Sequence, residues 1–212
     1  MFGRVVILKE LINQFHSLFD NFQKEKDEVR ENIAFSERTT YLQDQHRVKN
    51  NEMIRIEIGQ RRHIANIIDI ERKGYQGLTP WGYSALETDI LRSKKSLYFV
   101  VYHKLTPIAF LGSRLEDNNI HITNIAVVPD WQSQGIGRLL IEKLIEVAKV
   151  EQVASLSLEV RVSNEKAKIL YDRMGFESLR VKKNYYHGDG EDALDMHLIV
   201  REDLKTLDEK EE

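Results

Sequence analysis

The sequence predicts an α/β fold with a mixed central sheet, and three patterns support this. Alternating apolar residues predict a strand at Ile54–Ile58. Helical periodicity follows over Arg61–Lys73, with its apolar positions at Ile64, Ile67, Ile68 and Ile70. Later, an apolar strand over Asn119–Val128 runs through a glycine-containing turn into another amphipathic helix. Strands joined first by hairpins and later by crossover helices give a mixed sheet.

The remaining elements are read from the same periodicities and from turn residues. A loop at Gly74–Gly82 precedes a helix near Ser84–Arg92. Strands are predicted around Leu97–Tyr102 and Pro107–Arg114, with Asp117-Asn118-Asn119 as the next hairpin turn. The last predicted elements are a strand at Leu156–Val162, a helix carrying Ile169, Leu170 and Tyr171, and strands near Ser178–Tyr185 and Ala193–Val200.

The chain divides into three parts: a helical extension at residues 1–52, a main α/β domain at 53–200, and an acidic, frayed tail at 201–212. The extension carries one apolar helical stripe, at Ile7, Leu8, Leu11, Ile12, Phe15, Leu18, Phe19 and Phe22. The polar stretch Gln23–Glu52 is interpreted as a second, exposed helix or a helical linker. The stripe must be buried against the main domain, a second copy of the chain (a homodimer) or a partner, and we favour the domain itself.

Composition excludes several classes of protein. The net charge of −3 gives no bulk reason to expect binding to nucleic acid or membranes. Cysteine is absent, which excludes disulfides, thiolate metal sites and a cysteine nucleophile. The seven histidines show no metal-ligand spacing, so no metal is predicted. No apolar run reaches the length of a membrane span and no signal peptide is recognisable, so we expect a cytoplasmic protein.

The turn Gln132-Ser133-Gln134-Gly135-Ile136-Gly137-Arg138 is the most informative feature of the chain. Such a turn leaves backbone N–H groups unpaired at a helix N-terminus, where the dipole also favours an anion. A P-loop is excluded because no Lys-Ser/Thr pair follows the glycines, and a dinucleotide fingerprint is excluded because Leu140 stands in place of the third glycine. The turn is interpreted as a pyrophosphate cradle, and the alternative is an ordinary tight turn.

These residues, with others downstream, resemble the GNAT superfamily of acetyl-CoA-dependent N-acetyltransferases. Gln132-x-x-Gly135-x-Gly137 matches its Arg/Gln-x-x-Gly-x-Gly/Ala motif. Further segments resemble the RimI type, which acetylates the N-terminal alanine of a small-subunit ribosomal protein. They are Asn124–Val127, Leu158–Arg161 with Ser163-Asn164, Leu170-Tyr171 with Gly175-Phe176, Asn184–Tyr186, and Gly190–Ala193 with Met196. The resemblance spans roughly Met53–Ile199. The extension, His187 and Asp195 depart from it.

The resemblance implies a mostly antiparallel central sheet flanked by helices, and acetyl-CoA as co-substrate. It assigns the CoA pyrophosphate to the backbone amides of Ser133, Gln134, Gly135, Ile136, Gly137 and Arg138, with the Arg138 side chain as a counter-charge. It also assigns the pantetheine arm to the backbone of Ile125, Ala126 and Val127, where one N–H polarises the thioester carbonyl. The Asn164 amide is expected to contact the same arm, to cap the following helix, or to do both.

Glu159 and Tyr171 are the catalytic candidates. Because side chains alternate along a strand, Glu159 is expected on the face opposite Leu158 and Val160. A carboxylate in that place is either an ion-pair partner, for example of Arg161, or a general base, the role that the resemblance implies. Tyr171 is implied to be the general acid that protonates the departing thiolate; otherwise it packs its helix against the sheet.

Peptide recognition is assigned to three aromatic residues. The resemblance places Tyr185 and Tyr186 in a loop that closes over the incoming N-terminus and places Trp81 in the first loop. Semi-buried packing is an equal alternative for all three. The substrate is predicted to be the N-terminus of a ribosomal protein. Other functions stay open: acetylation of a small-molecule amine, acetylation of internal lysines, or a non-catalytic acyl-CoA-binding module that recruits a partner through Leu11, Phe15 and Phe22.

Overall fold

In the described part of the chain eight strands form one sheet, in which hairpin connections come first and helical crossovers later. The computed structural model describes residues 24, 30, 32–39, 44–75, 77 and 79–201. The strands are β1 Asp44–Arg47, β2 Met53–Ile58, β3 Ser96–His103, β4 Thr106–Glu116, β5 Asn119–Val127, β6 Ser155–Arg161, β7 Glu177–Tyr186 and β8 Glu191–Ile199. The helices are α1 Phe35–Arg38, α2 Ile64–Gly74, α3 Tyr83–Arg92, α4 Ile136–Val150 and α5 Glu165–Arg173.

The sheet order confirms the predicted fold class. The strands are arranged β1-β2-β3-β4-β5-β6-β8-β7. All neighbouring pairs are antiparallel except β5 and β6, which are parallel. The long connection that carries α4 therefore makes the one parallel crossover in the described part of the sheet, and the fold is α/β with a mostly antiparallel sheet.

The helical interpretation of Gln23–Glu52 is wrong for the residues nearest the domain. Asp44–Arg47 form an edge strand that pairs with Met53–Ile56. Four polar residues carry no apolar alternation, so only backbone pairing with β2 identifies this strand. Phe35, in the short helix α1, is fully buried in the core. The apolar stripe at residues 7–22 and the tail from residue 202 lie outside the described residues, so the proposed division at residue 52 stays a prediction.

The sheet opens where β5 and β6 separate. Their parallel pairing extends from Asn119↔Ser155 to Ile122↔Leu158. Beyond it β5 continues along β4 as far as Val127, and β6 continues along β8 as far as Arg161. In the same region the β4–β5 register shifts, because Gly112 faces Asn124 while Ser113 faces Ile122, which leaves Thr123 as an inserted residue. Beyond this ladder the two strands no longer pair with each other, and a cleft lies between them.

Two helices hold β5 in place. Helix α2 packs against β4 and β5, and α4 packs against β4, β5 and β6. The apolar side of α4 is buried, namely Ile136, Leu140, Ile141, Leu144, Val147 and Ala148. Burial of such side chains stabilises the fold by roughly 1.5–3 kcal/mol for each large residue. The cleft is therefore built on a rigid support.

Candidate active site

The predicted phosphate cradle is a strand-to-helix turn with open backbone amides. Gly135 precedes α4 with a φ of 89°, a left-handed conformation that strains other residues. In the described part of the chain no side chain caps this helix N-terminus, so the N–H groups of Ile136–Arg138 are open to a ligand. A Cβ at Gly137 would lie 3.3 Å from Leu170 Cδ2, so this glycine also lets α5 approach. The turn suits an anionic phosphate.

Gln132, the first residue of the motif, acts through its side chain. Its Nε2 donates a hydrogen bond to the Val127 carbonyl at 3.1 Å. The contact joins the end of β5 to the beginning of the cradle. The two predicted donor-binding stretches are thereby fixed relative to each other, which explains why an amide side chain is suitable at this position.

Two cations border the cradle. Arg138 is exposed, and its Nε donates to Glu142 Oε1 at 2.7 Å, so a neighbouring acid partly compensates its charge. Lys49 lies on the other side, in the turn between β1 and β2. Its N–H donates to the Gln134 carbonyl at 3.4 Å, and its Cε would be 3.9 Å from a Cβ at Gly135. Lys49 was missed because it precedes the part of the sequence that carries the resemblance.

Ile125–Val127 lie on the part of β5 that borders the cleft. The Tyr75 hydroxyl, at the end of α2, lies 2.6 Å from Asn124 Oδ1 and 3.1 Å from the Ile125 carbonyl oxygen. Asn124 in turn donates from Nδ2 to Glu71 Oε1 at 2.7 Å. The three residues bring backbone groups to the cleft, as an arm-binding strand requires, and side chains of α2 hold that backbone.

Glu159 lies on β6 directly after the last residue that pairs with β5. The predicted alternation is observed, because Leu158 and Val160 are buried in the core while Glu159 faces His121. His121 Nε2 lies 3.1 Å from Glu159 Oε2, and Lys182 Nζ donates to Oε1. The ion pair considered from the sequence exists with Lys182 as the cation, and His121 is a second hydrogen-bond partner.

Arg161 is paired elsewhere, on the hairpin between β7 and β8. Its Nη1 lies 2.8 Å from Asp189 Oδ2 and 2.6 Å from Glu191 Oε2. Its guanidinium also lies over the Tyr186 ring, 3.9 Å from the centroid. Arg161 therefore holds the hairpin beside Glu159 and leaves that carboxylate to other cations.

The environment keeps Glu159 ionised. Burial favours the neutral acid and opposes ionisation, but the hydrogen bonds and charges of His121 and Lys182 outweigh it and lower the pKa of Glu159 to about 2. The side chain is 10% exposed, so solvent weakens these interactions only in part. Such a carboxylate accepts hydrogen bonds strongly and holds a transferred proton weakly.

Asp195 lies on β8 directly opposite Glu159 and is 4% exposed. It pairs with Arg180 Nε at 2.9 Å, His197 Nε2 at 3.1 Å and Lys182 Nζ at 3.4 Å. Burial opposes ionisation of Asp195 too, yet these partners, Arg180 foremost, lower its pKa. Lys182 bridges the two carboxylates, so Asp195, a departure from the resembled family, is part of the same charge cluster.

Tyr171 is 5% exposed on α5, and its ring packs on Phe176 with a centroid distance of 5.7 Å. Burial, and next the nearby Tyr186 hydroxyl, raise the pKa of Tyr171 above its usual 10. The phenol therefore keeps its proton across the neutral range. The packing agrees with the structural interpretation made from the sequence, and the general-acid role stays a prediction.

Asn164 caps α5, as one interpretation predicts. Its Oδ1 accepts a hydrogen bond from the Ala167 N–H at 3.2 Å. The side chain is exposed, and the cap uses only its oxygen and not its Nδ2. Contact with the donor arm stays a prediction.

The predicted peptide-binding aromatics lie at element ends. Tyr185 and Tyr186 are the last residues of β7, after an irregular pairing that begins beyond Lys182, and so belong to a strand end rather than to a loop. Their rings meet edge to face at 5.2 Å. The Tyr186 hydroxyl lies 3.5 Å from the Glu159 carbonyl oxygen. Trp81, before α3, is half-buried against the core.

Electrostatic interactions link the tyrosines of this region to one another and to the carboxylates. Tyr75 interacts with Tyr171, Glu71 and Tyr186, and burial, the largest effect, raises its pKa well above 10. Burial also raises the pKa of Tyr186 to about 12, and this hydroxyl feels the charge of Glu159. Tyr186 thus interacts electrostatically with both catalytic candidates, Glu159 and Tyr171.

Sequence reasoning missed His121, Lys182, Tyr75 and Glu71. His121 and Lys182 reach Glu159 from different strands, and only the register of the sheet brings them together. Glu71 could have been noticed as an acid between apolar positions of a helix, beside Ile67 and Ile70. Among the described residues no group of three or more metal-ligating side chains is placed to hold a metal ion. No described helix is long and apolar enough to cross a membrane.

Comparison with known proteins gives a consistent family. Residues 64–176 match the profile of the Acetyltransferase (GNAT) family. The Escherichia coli (strain K12) ribosomal protein bS18-alanine N-acetyltransferase is 37% identical over 123 residues, which are 57% of this chain and 82% of that protein. A Bacillus subtilis (strain 168) protein, provisionally named for the same activity, is 32% identical over 139 residues, 66% of this chain and 91% of its own length.

Solved structures agree with this fold. The crystal structure of the ribosomal-protein-S18-alanine N-acetyltransferase from Escherichia coli superposes with a TM-score of 0.64 at 31% identity, and the match covers 70% of this chain and 94% of that one. Ard1 from Thermoplasma volcanium gives a TM-score of 0.62 at 20% identity, with 70% and 99% covered, and shows a shared fold. Both matches leave about the same share of this chain outside the common domain.

Proposed function

The chain belongs to the GNAT acetyltransferase family and is an acyltransferase, and from this premise we propose that it acetylates protein N-termini with acetyl-CoA. The single observation that carries the proposal is the cleft between β5 and β6, with the glycine cradle at the end of β5 and Glu159 on the opposite edge. The favoured substrate is the N-terminal alanine of a small-subunit ribosomal protein, because the named relatives act on bS18. We place the reaction in the cytoplasm, where ribosomal proteins are made.

In this proposal the donor lies along β5. Backbone amides of Ser133–Arg138 bind the pyrophosphate, and Lys49 and Arg138 add positive charge. Backbone groups of Ile125–Val127 hold the pantetheine arm. One N–H of that stretch stabilises the oxyanion that forms when the thioester carbonyl is attacked. No serine or cysteine nucleophile is needed, because the amine attacks the thioester directly.

Glu159 assists the attacking amine through water. An α-amino group has a pKa of about 7.7–8.0, so a useful fraction is already neutral near pH 7.5. Because the pKa of Glu159 is low, we assign two roles to its carboxylate. It orients the water that takes the proton from the amine nitrogen after attack, and it stabilises the positive charge that develops on that nitrogen. His121, bonded to the same carboxylate, keeps it directed.

Tyr171 completes the reaction. Collapse of the tetrahedral intermediate breaks the carbon–sulfur bond and leaves a thiolate, whose pKa is roughly 8.5. The Tyr171 hydroxyl donates its proton to this sulfur and is reprotonated from solvent. Trp81, Tyr185 and Tyr186 border the path of the peptide. Acetyl leaves on the peptide nitrogen, and CoA leaves as the free thiol.

A small cationic amine is a less suitable acceptor. Glu159 and Asp195 are adjacent carboxylates, which superficially resemble a polyamine pocket. However, Lys182, Arg180, His121 and His197 already pair with them. An amine of several charges would have to compete with these internal cations.

The test is an intact-mass assay with acetyl-CoA and peptides that begin with Ala, Ser, Met or Gly, each with a free or a blocked N-terminus. One added acetyl group on free Ala peptides, absent from the blocked ones and reduced in Glu159→Gln and Tyr171→Phe, is expected. CoA release only on addition of polyamines or aminoglycosides would contradict the proposal. Acetyl-CoA binding without turnover of any acceptor would contradict it as well.

A further inference from the structure

A carboxyl group is buried between α2 and β5, separate from the Glu159 cluster. Glu71 is 0% exposed, and its Oε1 accepts a hydrogen bond from Asn124 Nδ2 at 2.7 Å. Its Oε2 forms no hydrogen bond of good geometry among the described residues, and the backbone N–H of Trp81 is the one further donor that stabilises the charge. A buried carboxyl oxygen without a donor destabilises the fold, and native structures retain few such atoms. Packing alone gives no reason for an acid at this place.

Glu71 determines the orientation of the Asn124 amide. Since Oε1 accepts, Asn124 must direct its NH₂ group to Glu71 and its Oδ1 to the Tyr75 hydroxyl, which lies 2.6 Å away. The same hydroxyl is 3.1 Å from the Ile125 carbonyl oxygen. A reversed amide would place the Asn124 carbonyl oxygen against the Glu71 carboxylate, whereas the Tyr75 hydroxyl can donate or accept, so the Glu71 end sets the orientation. The single Tyr75 proton then lies between two acceptors, Asn124 Oδ1 and the Ile125 carbonyl oxygen, and joins Glu71 and Asn124 to the backbone of β5.

This chain of contacts ends at the cleft. Asn124 follows the inserted residue Thr123 and directly precedes Ile125–Val127, the stretch assigned to the donor arm. We propose that Glu71 is a positioning residue for the acetyl donor: through Asn124 and Tyr75 it fixes the Ile125 carbonyl and the adjacent backbone in the geometry that binds the pantetheine arm. The inference rests on the proposed function, because that function assigns Ile125–Val127 to acetyl-CoA.

The charge of Glu71 makes the positioning sensitive to pH. Burial raises its pKa to about 7, opposed by the Trp81 N–H and by Asn124. The titratable groups coupled to it are Tyr75 on its own helix and Tyr98 on β3, whose pKa values burial raises, so both are neutral phenols; Tyr98 donates to Asp89. Ionised Glu71 is the stronger acceptor for Asn124. The KM for acetyl-CoA is therefore expected to fall as pH rises from 6 to 8.

The experiment measures kcat and KM for acetyl-CoA between pH 6 and 8 in four proteins: wild type, Glu71→Gln, Asn124→Asp and the double variant. Glu71→Gln keeps an acceptor without titration, so its KM is expected to lose the pH dependence. Asn124→Asp sets two carboxyls against each other and is expected to raise KM about tenfold. The double variant restores an N–H facing a carboxylate and should return KM to within about threefold of wild type.

The controls separate positioning from general damage. Glu87→Gln changes a glutamate on α3 that pairs with Arg61 away from the cleft, and should leave KM unchanged at every pH. Throughout, kcat is expected to change less than KM. A pH dependence retained in Glu71→Gln, or a double variant no better than Asn124→Asp, would overturn the inference. Absence of turnover by wild type would instead contradict the proposed function, and calorimetric Kd values for CoA in the same four proteins would then decide the role of Glu71.

Discussion

The two edges of the cleft present different chemical groups, backbone groups on one edge and charged side chains on the other. The β5 edge, with the turn from Gln132 to Arg138, is made of backbone groups contributed by one continuous stretch of chain. The β6 edge is made of charged side chains, where Glu159 meets His121 from β5 and Lys182 from β7. The first edge offers fixed N–H groups to the phosphate and amide groups of a ligand. The second offers a carboxylate that its neighbours keep ionised.

This difference predicts how each edge responds to mutation. Backbone groups survive most side-chain changes, so the β5 edge depends mainly on glycines and on residues such as Gln132 that hold it. On the β6 edge, one substitution changes the charge balance of Glu159 and Asp195 together, because Lys182 contacts both. Mutations that reach only one edge can therefore separate donor binding from chemistry.

Tyr171→Phe should give the largest effect. It removes the proton donor at the sulfur but keeps the ring packed on Phe176, so kcat is expected to fall about 100-fold with little change in either KM. Thiol release under steady-state conditions measures this. Tyr185→Phe, at a more exposed ring, is the control and should cost less than about tenfold. A kcat within about threefold of wild type for Tyr171→Phe would show that the buried hydroxyl only packs.

Lys182→Met should give an intermediate effect on stability. The pKa of Glu159 is depressed to about 2, so its ionised form stabilises the fold above the ordinary carboxyl pKa, and this stability is lost as pH falls toward 2. Removing Lys182 is expected to lower the free energy of unfolding at pH 7 by roughly 1 kcal/mol, since both partners keep other contacts. The difference from wild type should shrink between about pH 4.5 and 2.

Lys183→Met is the matched control for this experiment. Lys183 pairs with Asp192 on the surface, with 76% of its side chain exposed, so its removal should change stability much less than Lys182→Met does at any pH. Thermal unfolding followed by circular dichroism from pH 2.5 to 7 measures both variants. Equal losses in the two would mean that the partly buried lysine contributes nothing beyond a surface pair.

Lys49→Ala should give the smallest effect, a change in CoA affinity that involves only the β5 edge. Its charge beside the cradle is exposed, so the Kd for CoA is expected to rise about two- to fivefold at low salt and less at high salt. Acetyl-pantetheine, which lacks the nucleotide phosphates, should be used equally well by both proteins. Weaker use of acetyl-pantetheine by the variant would place the defect outside the cradle.

The sequence predicted the β5 edge well because its information is local. A glycine turn, an apolar strand and an amphipathic helix follow one another, and each obeys a short-range rule. Gly135 in the left-handed region and the N-cap at Asn164 are of this kind. The fold class was predictable for the same reason, since the order of strands and helices along the chain shows where hairpins and crossovers occur.

The β6 edge could not be predicted to the same depth. The two side chains that contact Glu159 are His121 and Lys182, and their approach depends on sheet register, which one sequence leaves undetermined. Strand β1 was missed because a four-residue polar edge strand has no periodicity. The buried acid Glu71 was missed although it lies beside apolar positions of α2, and its contact with Asn124 depends on how that helix packs against β5.

The four-residue ladder between β5 and β6 has a mechanical consequence. In the described part of the chain it is the one strand-to-strand connection between the β1–β5 half of the sheet and the β6–β8–β7 half. A donor arm that hydrogen-bonds to both free edges would extend this connection along the whole cleft, as an inserted strand does. The ligand would then stiffen the sheet itself, and amide hydrogen exchange at Thr123–Val127 and Glu159–Arg161 should slow far more on CoA binding than exchange within β3.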